Sequence, residues 1–201
     1  VLAGAGINLE RYKMQPYPKH TRIHFLYLGR IMKEKGIDEL FYAVRHLKKE
    51  NENFVLDLVG FFEDEYKEQV KELEKHSIAH FYGFQSDPRP FYIEADCVVL
   101  PSYHEGMSNV LLEAAATGRP VITSNIPGCR ESVENGKSGL LVEVKNKEML
   151  YDAMKEMLHC SREEREQMGQ AGREKMEKEF RKEVVVEETV QSLREDEKRD
   201  F

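Results

Sequence analysis

Cysteine is scarce in this chain: Cys97, Cys129 and Cys160 are the only three among 201 residues. They are odd in number, widely spaced and without a CxxC pair, so neither a disulfide framework nor a thiolate zinc site is indicated. A reducing cytosol is the expected setting. Long apolar runs are missing as well, since no stretch approaches the ~20 residues that a membrane-spanning helix requires. Positive charge is in deficit, with a formal net charge of −7. A general nucleic-acid or anionic-membrane binder needs a basic face, so any phosphate recognised here is held by a local site. The opening "VLAGAGINLERY" has neither a charged n-region nor an apolar h-region, so no signal peptide is expected and the chain reads as beginning in mid-protein.

What is present is the composition of an ordinary globular protein, 40% hydrophobic and 33% charged. The length suits one well-buried domain with a helical appendage. From residue 23, short β-rich runs alternate with amphipathic stretches. "RIHFLYLGR", "FVLDLVG", "IAHFYG", "CVVLPS", "PVITS" and "SGLLVE" read as strands. Between them "GIDELFYAVRHLKKE", "DEYKEQVKELEKH", "PRPFYIEA", "SNVLLEAAATG" and "GCRESVENG" read as helices, the first with Ile37, Leu40, Phe41, Val44 and Leu47 on one face. Such alternation implies an α/β, Rossmann-like three-layer sandwich with a six-stranded parallel sheet and extra C-terminal helices. The expected organisation is an entry segment 1–22, a ligand-binding domain 23–160 and C-terminal helices 161–201. In that last part Ser161 to Glu164, "SREE", reads as a capping box and a further helix is expected after Phe180, through "EVVVEETVQSL".

Parallel sheets bind ligands beyond the carboxyl ends of their strands, so the loops after Leu28, Val59, Tyr82, Leu100 and Ser124 carry the chemistry. The loop after Leu100 continues "PSYHEGMSNVLLEAAATGRPVI". Glu105, Gly106, Met107, Ser108 and Asn109 fall on the loop and first helical turn, where unsatisfied amides and the helix dipole favour an anion. Glycine at 106 lets backbone approach that anion. Glu113 lies about 7 Å further along the axis, roughly the distance from a diphosphate to its ribose, and a carboxylate accepts from two adjacent hydroxyls. Glu105 faces the other end. In "LGRIMKEKG" Arg30 and Lys35 follow the first strand, two cations at the same edge that can neutralise a diphosphate leaving group. A lone surface glutamate or lysine is most often merely solvated. Their convergence on one edge argues against that here, and the order of groups suggests a nucleotide sugar.

"GRIMKEKGIDEL", "PSYHEGMSNVLLEAAATGRPVI" and "IPGCRESVENGKSGLLV" together resemble the donor-binding C-terminal domain of retaining GT-B glycosyltransferases of family 4. The resemblance runs from "GAGINLERY" to the terminal helix and implies one half of a GT-B fold. It implies that Arg30 and Lys35 hold the donor diphosphate together with the amides of Met107, Ser108, Asn109 and Val110. Glu113 would then bind ribose and Glu105 the transferred sugar, while the backbone at Phe84 reads the nucleobase and Gly29 keeps the first loop tight. It further implies a UDP-linked donor, no metal or other cofactor, and an N-terminal domain that brings a saccharide or lipid-linked acceptor. The full-length protein would sit in the cytoplasm, at the inner face of a membrane. No Asp-x-Asp pair is placed to hold Mg²⁺, in keeping with that expectation.

Other signals are weaker. "NGKS" at 135–138 ends like a phosphate loop, but Glu131 stands where that pattern needs glycine. "GAG" at 4–6 lacks the third glycine of a dinucleotide fingerprint, Leu9 standing in its place. His104 adjoins Glu105 and can touch a ligand there, but a loop histidine is more often a packing or solvent-facing residue, and Cys129 reads as a small half-buried residue rather than a nucleophile. Two other readings remain at this stage: a nucleotide-sugar epimerase on the same architecture, and a non-catalytic nucleotide-sugar-binding module.

Overall fold

The computed structural model describes residues 6–50 and 52–187. Its centre is one sheet of six parallel strands: β1 (Ile23–Leu28), β2 (Phe54–Val59), β3 (Ala79–Gly83), β4 (Cys97–Leu100), β5 (Val121–Ser124) and β6 (Gly139–Val142). Their order across the sheet is β3-β2-β1-β4-β5-β6. The chain moves outward from β1 to β3, then returns to place β4 beside β1, so the direction of winding reverses between those two strands. That reversal opens a crevice past their carboxyl ends, where the connecting loops diverge.

The α/β sandwich expected from the sequence is the one observed. β2 and β4 are buried at every position, as strands covered on both faces must be. β3, at the edge, alternates buried and accessible residues. Helix α1 (Ile37–Lys49) buries Ile37, Leu40, Phe41, Val44 and Leu47 on its apolar stripe, with Ala43 beside them. The remaining helices are α2 (Lys67–Lys75), α3 (Arg89–Glu94), α4 (Asn109–Ala116), α5 (Lys147–His159) and α6 (Arg162–Lys175). Ser161 caps α6 with the reciprocal Ser–Glu164 box that its sequence predicts.

Three local expectations are refined. "GCRESVENG" forms only a single 3-10 turn, Arg130–Ser132, because Ser132 spends its hydroxyl on the Cys129 carbonyl and the chain extends again at Val133. The first turn of "DEYKEQVKELEKH" is not helical; Asp64 instead accepts from the Lys33 amide and α2 starts at Lys67. Beyond a π-helical turn at Met176–Phe180, residues 182–187 are helical, and the rest of the helix expected after Phe180 lies outside the described residues.

Arginine fastens the first segment to this body. Arg119 is fully buried and donates to the carbonyls of Gln15, Pro16, Tyr92, Ile93 and Gly118. Arg162 holds the carbonyls of Tyr17 and Pro18, and Arg173 those of Tyr12 and Ala116. Ile7 pairs in parallel with Arg181, its amide 2.7 Å from the Phe180 carbonyl, so the two ends of the described chain run together.

Candidate functional site

The loops after β1 and β4 meet across the crevice, and glycine makes the meeting possible. Gly36 closes the 3-10 turn Lys33–Lys35 with φ of 73°, and a Cβ there would lie 2.1 Å from the Pro101 carbonyl oxygen. Only glycine tolerates both the left-handed backbone and the contact. The Tyr103 amide donates to the Glu34 carbonyl at 2.8 Å and completes the seam. In consequence Lys35 reaches over β4, and its Nζ lies 2.6 Å from Glu105 Oε1, which also accepts from Ser102 Oγ at 2.8 Å. The two side chains are only 16% and 15% exposed, so the pair is sheltered from bulk water on most sides. Below them, the buried Tyr27 hydroxyl donates to the Arg30 carbonyl and fixes the start of the first loop.

The start of α4 is braced by a second glycine. Gly128, with φ of 86°, packs so tightly that a Cβ would fall 1.6 Å from the Gly106 carbonyl oxygen. Gly106 itself is exposed, with nothing within 4 Å of the position its Cβ would take, so the backbone is supported from behind and open in front. This brace alters one expectation. The Ser108 amide is not available to an anion, because it donates to the Gly128 carbonyl at 3.0 Å. Ser108 retains its hydroxyl, which makes no capping bond. Among the described residues the amides of Met107, Asn109 and Val110 donate to no other group, and they stand at the positive end of the α4 dipole.

Glu113 is one helical turn beyond Asn109 and so shares its face. It is half-buried, and burial raises its carboxyl above the usual range, although the hydroxyls of Tyr12 and Tyr92 and the charge of Arg11 pull it back. Tyr92 donates to Glu113 Oε2 at 2.9 Å. Tyr12 is pushed up to about 12, first by burial and then by its hydrogen bond to Glu113. Glu113, Asn109, Arg11, Tyr12 and Lys182 line a cavity of about 320 Å³ beside the helix. The carboxylate is thus held by two tyrosine hydroxyls at the lining of that cavity.

Arg30 differs from expectation. It stands at the ligand edge after β1, but its guanidinium is not free: Nη1 donates to both oxygens of Glu63, at 3.1 and 2.8 Å. The cause is topological, since β1 and β2 are neighbours and their following loops run side by side. Gly29 carries the shared ladder past the strands by donating to the Val59 carbonyl at 2.9 Å. Phe84 follows β3 with its ring 69% exposed, edge-on to Phe61 at 6.4 Å. Neither its amide nor its carbonyl is bonded among the described residues, so both could meet a ligand edge. His104 is exposed. Cys129 is buried, and burial pushes its thiol up to about 11, which is inert at neutral pH. Among the described residues no cluster of three or more His, Cys, Asp or Glu side chains is placed to hold a metal ion.

The candidate site residues expected from the sequence all follow the carboxyl ends of β1, β3 or β4 in the chain. Glu63, Ser102, Tyr12 and Tyr92 escaped notice as contributors. Tyr92 reads as core and is core, its hydroxyl alone reaching Glu113. Nothing local in "GFFEDEY" signals that Glu63 sits opposite Arg30.

The chain is 29% identical over 194 residues to the capsular polysaccharide biosynthesis glycosyltransferase CapM of Staphylococcus aureus, covering 91% of this chain and 51% of CapM. It spans about a third to a half of the length of the curated relatives it matches. Its fold superposes on the C-terminal domain of the group 1 glycosyl transferase LpcC of Francisella tularensis with a TM-score of 0.70 and 25% identity, covering 88% of this chain and 99% of that one. HepE of Anabaena, solved in complex with UDP and glucose, gives a TM-score of 0.78 at 20% identity, covering 94% of this chain and 55% of that one, a likeness of fold. The family of glycosyl transferases group 1 matches residues 10–175, and the chain belongs to it.

Proposed function

We propose that the chain is the donor-binding half of a retaining glycosyltransferase that takes a sugar from a nucleotide diphosphate carrier, with UDP as the nucleotide. The observation that carries the reading is the alignment of Lys35 and Glu105, the free amides of Met107, Asn109 and Val110, and Glu113 along one crevice. A nucleotide sugar needs its sugar, diphosphate and ribose contacts in that order, which supports the reading. The pyrophosphate lies on the row of amides, where Lys35 and Arg30 add positive charge. Glu113 accepts from the ribose hydroxyls, Glu105 contacts hydroxyls of the transferred sugar, and Phe84 borders the nucleobase.

In this reading the protein accelerates transfer by stabilising the departing diphosphate and by holding the anomeric carbon toward the acceptor. As the phosphate oxygen leaves, Lys35 and the amides meet the developing charge. The acceptor approaches the same face and passes its proton to the departing phosphate, so the configuration is retained. No metal takes part, because the two cations and the helix start supply the charge. The acceptor is a saccharide or lipid-linked saccharide of a surface polysaccharide, brought by an N-terminal domain at the cytoplasmic face of a membrane. CapM, a capsular polysaccharide enzyme, favours that class. Among the described residues no helix is long and apolar enough to cross a membrane.

Calorimetric titration with UDP-, GDP- and ADP-sugars tests the reading. The account expects UDP-sugar to bind most tightly, with affinity unaltered by EDTA and reduced in Lys35→Ala and Glu113→Ala. Equal affinity in both variants contradicts it.

A further inference from the structure

The donor diphosphate meets an edge whose cations already have partners. Lys35 carries Glu105, and Arg30 carries Glu63 on Nη1 alone. The Arg30–Glu63 pair differs from the surface ion pairs formed by near neighbours on one helix, such as Lys71–Glu68. Glu63 belongs to the loop after β2, and backbone bonds lock that loop to the one after β1. The Ile31 amide donates to the Phe61 carbonyl at 2.8 Å, and the Glu63 amide returns to the Ile31 carbonyl at 3.1 Å. Lys33 adds a bond from its amide to Asp64 Oδ2 at 2.8 Å. Ile31 is fully buried between them. The carboxylate is therefore built into position beside Arg30, while the Arg30 Nε and Nη2 have no acceptor among the described residues.

Resting on the donor-binding reading above, we infer that Glu63 is a resident counter-anion of Arg30 that the donor diphosphate displaces, and so a determinant of donor affinity. The pair is 47% and 42% exposed, and ion pairs in such settings are weak. A diphosphate carries more charge and can present two oxygens to the guanidinium fork, so it wins the exchange. The displaced carboxylate stays tethered nearby by the loop bonds and repels the bound anion. Glu63 thereby loosens the grip on donor and on the nucleoside diphosphate left after transfer. It acts through Arg30 and the field at the site, as a positioning residue rather than a reacting one. An uncharged nucleoside escapes its influence.

The test titrates UDP, with uridine as control, into the 201-residue chain carrying Glu63→Gln, Arg30→Ala or both, at low and high salt. Glutamine keeps the shape and removes the charge. UDP is expected to bind about two- to fivefold more tightly to Glu63→Gln at low salt, a gain that shrinks at high salt. The gain should be smaller in the Arg30→Ala background, where only the repulsion between Glu63 and the diphosphate remains, and uridine should bind all forms alike. Unchanged or weaker UDP binding in Glu63→Gln, with Arg30→Ala still weakening it, overturns the role of Glu63 and leaves the donor site standing. If Arg30→Ala and Glu63→Gln are both without effect, Arg30 lies outside the diphosphate site and both statements fall.

Discussion

Burial makes Glu113 costly to the fold, a cost that the proposed donor site would explain. Burial raises its carboxyl pKa, so the folded protein favours the protonated form more than the unfolded chain does. The resulting penalty is absent below the unfolded value, near pH 4.3, and fully present above the raised folded value. Glu113→Gln removes the penalty and keeps an acceptor for Tyr92. Its thermal midpoint at neutral pH should therefore equal or exceed that of the wild type, while UDP-sugar affinity falls about tenfold or more through the lost charged hydrogen bonds to ribose. A lower midpoint together with unchanged affinity would mean that Glu113 is a structural residue only. Gly106 and Gly128 make the complementary pair. Gly106→Ala enters open space and should keep stability within about 0.5 kcal/mol while blocking close approach of a diphosphate. Gly128→Ala meets a carbonyl at an impossible distance and a left-handed φ, and should cost about 2 kcal/mol or more in denaturant melts. The sequence made Gly106 visible through its place beside Glu105. Gly128 gave no such signal, because its role depends on a loop that follows a different strand.

Elements were the most legible level. Periodicity located all six strands and the long helices, since burial on both faces of a parallel strand and one face of a helix leaves a direct mark on the order of apolar residues. Loop-to-loop seams leave none. The pairing of Lys35 with Glu105 and of Arg30 with Glu63 follows from strand adjacency, 70 and 33 residues apart in the chain. The sequence brought the cations to the right edge but could not tell which carboxylate each would meet. Between β1 and β2, His24 Nδ1 lies 2.8 Å from Asp57 Oδ2, and that hydrogen bond raises the His24 pKa against the opposing effect of burial. A raised imidazole pKa contributes stability that is fully present below the unfolded value of about 6.5 and is lost as pH rises through the folded one. Urea melts across that range should show stability falling with pH in the wild type, and a flatter profile in His24→Gln. Identical slopes would remove the pair from the account of stability.

At the scale of the whole molecule, the buried arginines bind the first segment to the sheet domain. Arg119 reads in "ATGRPVI" as an ordinary loop cation, and its burial among five backbone carbonyls could not be inferred from residue type, which predicts exposure. Arg119→Met should orphan those carbonyls and cost at least about 3 kcal/mol, a fall in midpoint of about 10 °C by calorimetry. A fall of a degree or two would show the segment to be held by other contacts. With that segment in place, Tyr12 and Arg11 stand against Glu113, so the anchoring of the chain and the composition of the crevice are one arrangement. In the proposed function a nucleotide sugar lies along this crevice. A crystal structure of the chain with UDP-glucose measures it directly. The account predicts pyrophosphate oxygens on the amides of Met107, Asn109 and Val110 with Lys35 beside them, and both ribose hydroxyls on Glu113. A nucleotide ordered at any other face, with these groups still paired as they are here, would contradict it.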